Sequence, residues 1–150
     1  MPRSRRWADS EGSASLEFIG AGLVLLVPIV YLVLALSAVQ AATLAIDGAA
    51  RQATRVYVQS GSVAAARVAA ARAIEVTLAD YGLDAGAASV AITCRPSPAA
   101  CLTRRGFVTI TIGMTIPLPL QPPFLDTGLP AGLPVSATAT EQVSRFWSSR

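Results

Sequence analysis

Between Glu17 and Asp47 the chain carries no formal charge, a run of 29 uncharged and mostly apolar residues. A helix crossing the hydrocarbon core of a bilayer needs roughly 20 such residues, and over this run a helix rising 1.5 Å per residue reaches about 44 Å. That is longer than the core helix of a small soluble domain requires. The run is therefore expected to cross a membrane over residues 18–46 and to emerge from it. The helix as a whole is expected over residues 13–59.

The flanks give this segment a direction. Residues 1–12, MPRSRRWADSEG, form a short polar leader with Arg3, Arg5 and Arg6. Under the positive-inside rule they favour a cytoplasmic N-terminus, an asymmetry that Arg51 and Arg55 on the far side weaken. A cleaved secretory signal with a cut near Ala41 is the competing reading. Its apolar core would normally be about 7–15 residues, half of what is present here.

Within the run, Pro28 removes one helical hydrogen bond and is expected to kink the helix, and Gly20 and Gly22 loosen the same half. Ser37, Ala41, Ala45, Ala49 and Ala53 recur every four residues along one face. Such a stripe of small side chains either forms a seam for another helix or reflects an alanine-rich composition. Past Asp47 the pattern turns amphipathic, and the helix is expected to continue to about Val58.

The remaining residues, 60–150, read as one α+β domain on the outer side. Val63, Ala66, Ala70, Ile74, Leu78 and Tyr81 follow a helical period, with Ser62 as N-cap and Gly82 followed by Leu83 as a glycine stop. Arg72 and Glu75 lie on its solvated side. After Gly86 the period becomes two. Val90, Ile92 and Cys94 mark one strand, and Val108, Ile110, Ile112, Met114 and Ile116 mark the clearest one, backed by Thr109, Thr111 and Thr115. The two are expected to pair as a hairpin. Residues 117–134 hold six prolines in eighteen positions and are expected as a loop. A third strand is expected over Val135 to Thr140, and the aromatic tail at Phe146 and Trp147 is expected to cover the sheet, contact with a partner being the other reading.

Cys94 and Cys101 flank a turn-rich connection at a separation compatible with a disulfide, which would contribute roughly 2–3 kcal/mol in the loop-entropy description. Two free thiols are the other reading. A disulfide needs an oxidising compartment and so favours the same orientation as the leader. The chain has no histidine and no lysine. Without them no base is evident to activate a serine, and two cysteines alone make a poor metal site. No catalytic site, metal or cofactor is expected. The small, dispersed net charge of +3 lacks the footprint of a nucleic-acid binder.

One local string is more specific. Gly12, then SASL, then Glu17 and Phe18 directly before an apolar helix resembles the prepilin peptidase site of type IV pilin-like proteins. From Gly12 to Arg55, closing on IDGAARQATR, the chain resembles the TadE-like family of minor pilins and pseudopilins of tight-adherence pilus systems. The resemblance implies a cut between Gly12 and Ser13 by prepilin peptidase, Glu17 as the fifth mature residue, and packing against other pilin subunits through the N-terminal helix. It also implies a role for Glu17 and Phe18 in subunit register. A carboxylate in lipid is costly. The new α-amine of a neighbouring Ser13 at about 4 Å would attract it by about 4 kcal/mol at an effective dielectric near 20, before desolvation is subtracted. At 150 residues the chain is long for a major subunit, so a minor or priming role is implied. An unprocessed, membrane-anchored binding protein is the alternative.

Overall fold

The computed structural model describes residues 11–117 and 132–148, with side chains from Ala14 onward. The protein is α+β. A first helix α1 (Glu11–Gln59) is followed by a second, α2 (Val63–Ala79), and a single 3-10 turn (Ala85–Ala87). Among the described residues three strands follow: β1 (Ser89–Arg95), β2 (Phe107–Pro117) and β3 (Gly132–Gln142). It divides into two compact units, Met1–Ser37 and Ala38–Arg150, the boundary falling within α1.

In the second unit the sheet order is β1-β2-β3, with both pairs antiparallel. The central strand β2 explains the arrangement. Val108, Ile110, Ile112, Met114 and Ile116 are all buried on one face, as strict alternation requires. On the opposite face, Thr109 pairs with Thr140 at 2.8 Å and Thr111 with Thr138 at 2.9 Å through their hydroxyls, cross-strand pairs that add to the ladder. The register places Ile92 beside Ile110 and Cys94 beside Val108. At the start of β1, Val90 shares this face by register, opposite Ile112, but remains 45% exposed.

Against the apolar face of the sheet, α1 and α2 complete a single core. From α1 it takes Ala42, Ala45, Ile46, Ala49, Ala50, Ala53 and Tyr57, and from α2 Ala66, Ala70, Ile74 and Leu78. Steps of three and four residues make each set one helical face. Of the residues assigned to α2's buried face from sequence, Val63 and Tyr81 are instead exposed, at 36% and 50%. Val63 is the helix's first residue, and Tyr81 lies beyond its last, so neither has the sheet to cover it.

The caps of α2 follow from single residues. Ser62 Oγ accepts from the Ala65 amide at 3.2 Å. At the other end Gly82 takes φ +69°, a conformation open to glycine at no steric cost. The Leu83 amide then donates to the Leu78 carbonyl at 3.0 Å, as in a Schellman stop. Thr54 and the Tyr57 hydroxyl are buried polar groups among the described residues; Thr54 donates to the Ala50 carbonyl at 2.6 Å.

The loop expected over 117–134 is shorter at both ends. Pro117 closes β2 opposite Gly132, and Leu133 and Pro134 pair with Ile116 and Thr115. Because β3 is an edge strand, a proline near its start costs no ladder bond on the side facing away. The rest of that stretch lies outside the described residues. In the tail, Trp147 packs on the core, but Phe146 is 77% exposed, a departure from the expected covering role.

Candidate functional site: the uncovered half of α1

The leader expected over residues 1–12 lies mostly outside the described residues; its last two, Glu11 and Gly12, already belong to α1, which begins two residues before the expected start. Gly12 and Ser13 therefore sit in the helix's first turn. Every residue from Ala14 to Val30 is exposed, including Glu17 and, at 81%, Phe18. The helix runs unbroken through Gly20, Gly22 and Pro28, residues of low intrinsic helix propensity that membrane-spanning helices tolerate.

The exposed surface is apolar on all sides. Leu23, Val24, Leu25, Leu26 and Val27 are consecutive and each is at least 54% exposed. Since successive residues turn by about 100°, five in a row circle the helix. A helix apolar all round belongs in a core or in lipid. No part of this chain's described structure supplies the first, and α1 is long and apolar enough to cross a membrane. Thirteen Phe, Ile, Leu and Val residues lie exposed between Phe18 and Leu36. At about 0.3–0.6 kcal/mol each near the centre of a membrane helix, they would contribute roughly 4–8 kcal/mol towards insertion. Glu17 is the last charge before this stretch and Asp47 the first after it. Asp47 pairs with Arg51 at 2.8 Å one turn further along.

The small-residue stripe splits. Ser37 and Ala41 are exposed, whereas Ala45, Ala49 and Ala53 are fully buried in the chain's own core. The stripe expected as a seam for another helix is thus, over part of its length, a seam within this chain. Its lower three members already serve α2 and the sheet. Next to them, a Cβ on Gly48 would stand 3.8 Å from Thr77 Cγ2 on α2, an ordinary van der Waals contact.

Cys94 and Cys101 form a disulfide across the β1–β2 connection, with Cα atoms 5.0 Å apart. Both are buried. Arg72 and Glu75 pair at 3.7 Å with side chains 75% and 63% exposed, a solvated contact worth little.

The second unit holds one feature that no local pattern announced, an open cleft of about 840 Å³ at the α1–α2 junction. Its wall is the chain's aromatic tail. Trp147 Nε1 donates to the Ser60 carbonyl at 2.8 Å, and Arg104 Nε donates to the Trp147 carbonyl at 2.8 Å. Because the lining comes from residues as far apart as Arg55 and Trp147, only the fold brings it together.

Compared with family models, curated proteins and solved structures, the chain matches none.

Proposed function

We propose that this chain is a single-pass membrane protein of the TadE-like kind, a minor pilin or pseudopilin of a tight-adherence pilus or related secretion filament. In this reading prepilin peptidase cuts after Gly12, and Ser13 becomes the first residue. The N-terminus begins in the cytoplasm and the second unit lies outside it. The role is structural rather than catalytic.

The observation that carries the reading is the uncovered half of α1. It is apolar on all sides, and its charge-free stretch begins directly after Glu17, with the glycine of the resembled cleavage string five residues earlier. Before extraction the bilayer would cover this surface; in a filament, the helices of neighbouring subunits would. Glu17 then has a task that a plain anchor lacks, to meet the amine that cleavage creates on another subunit. The disulfide fits an outer domain, since such bonds persist in oxidising compartments.

Glu17→Ala tests the subunit contact. The variant is expected to be made, inserted and cleaved normally, yet to be depleted from filaments sheared off the cell surface. A variant that enters filaments as well as the original chain would remove Glu17 from the assembly mechanism.

A further inference from the structure

The cleft at the α1–α2 junction has no part in the assembly reading, and its lining has a definite chemistry. Phe146 and Trp147 stand next to each other in sequence, one presented and one fixed. Trp147 is held at its indole nitrogen and at its carbonyl, while Phe146 keeps 77% of its surface exposed. Arg145, which is not among the residues lining the cleft, stacks on the Phe146 ring with Cζ 4.6 Å from its centroid. A large ring left in water is costly by its apolar area, and here its neighbours hold it rather than cover it.

Around the rings are groups that donate and accept. Arg55 and Glu141 both line the cleft, yet neither belongs to the ion pairs formed among the described residues, which are Arg51–Asp47 and Arg72–Glu75. A guanidinium and a carboxylate that share a cleft without pairing remain available to a third molecule. Gln142 donates through Nε2 to the Arg105 carbonyl at 3.2 Å, which fixes its amide, and Gln59 adds a second amide.

This combination narrows the ligand. One cation and one anion balance, so the lining favours neither a phosphate nor an amine. The aromatic pair calls for a flat apolar face, and the ring of amides and charges calls for a rim of hydroxyl groups able both to donate and to accept. A pyranose ring has such a face and such a rim. The volume, about 840 Å³, lies within the usual range of small-molecule sites, about 300–1,000 Å³. We propose that this cleft binds a neutral saccharide, a sugar ring lying against Phe146 and Trp147 with its hydroxyl groups between Glu141 and Arg55. The proposal does not depend on cleavage after Gly12.

The test uses the full chain in a sugar-free detergent, with Trp7→Phe introduced so that emission reports Trp147 alone. Chitotriose, maltotriose and cellotriose are titrated, with sialyllactose as an acidic comparison. A saturable change with at least one neutral trisaccharide is expected. Phe146→Ala and Glu141→Gln should each weaken it about tenfold while leaving the melting temperature unchanged, since both side chains are exposed. The absence of any saturable change with the neutral sugars would overturn the proposal. So would equal affinity in both variants, or a response to sialyllactose alone. A change that follows protein concentration rather than sugar would assign the cleft to a second copy of the chain, and would overturn it equally.

Discussion

Among the described residues, Tyr57 is the largest fully buried side chain, and its hydroxyl makes no hydrogen bond there. Burying a hydroxyl without a partner costs about 1–3 kcal/mol, whereas the ring itself contributes through the apolar area that it removes from water. Tyr57→Phe separates the two. The ring stays, the unpaired oxygen goes, and no new cavity of consequence opens. The variant is expected to be more stable by about 1 kcal/mol. For a cooperative unit of about 100 residues that raises the melting temperature by about 4 °C. Tyr57→Ala in the same position should cost about 3–5 kcal/mol, as removal of a buried aromatic ring does. The assay is thermal unfolding in detergent followed by near-ultraviolet circular dichroism, with ellipticity at both temperature extremes checked for equal baselines. Most core substitutions destabilise, so the sign alone is informative. A Tyr57→Phe variant that melts several degrees lower would mean that the hydroxyl is satisfied in the folded protein, and the reasoning would fail.

Two further outcomes follow from the same core. Replacing Cys94 and Cys101 together by serine should lower stability by roughly 2–3 kcal/mol, the loop-closure value for so short a ring, read as a lower midpoint in urea with little change in slope. At Gly106 a Cβ would stand 2.9 Å from the Thr103 carbonyl oxygen and 3.0 Å from that of Arg95. Both are backbone atoms that cannot swing away, so Gly106→Ala should destabilise by about 1–3 kcal/mol in the same urea titration.

Much of the fold is legible in the sequence because period and caps are local. The alternation from Val108 to Ile116 gives both the strand and its buried face, and Ser62 and Gly82 bracket α2 through bonds made within a few residues. What is not legible depends on contacts between distant parts. The stripe from Ser37 to Ala53 is a real helical face, but a sequence does not say where its covering begins. The core takes Ala45, Ala49 and Ala53 and leaves Ser37 and Ala41 outside, while Ile46, Ala50 and Tyr57 widen the buried band. The tail is similar: adjacent aromatics carry no sign of which turns inward, and Trp147 does so because the Ser60 carbonyl lies within reach of its indole nitrogen. Pro134 reads as loop until β3 is known to be an edge. For the uncovered half of α1 the sequence already contains the main point, since a charge-free run of that length has few other uses.

The central claim is that α1 belongs to a prepilin, and the mature N-terminus tests it most directly. Intact mass and N-terminal peptide mapping would be carried out on the membrane form, from cells with and without an active prepilin peptidase, beside a Gly12→Asp variant. A start at Ser13 that requires the peptidase and is lost in the variant is the predicted result. A chain that keeps its leader under both conditions would contradict the claim and leave an unprocessed anchor, and a start near Ala42 would contradict it in favour of a secreted protein.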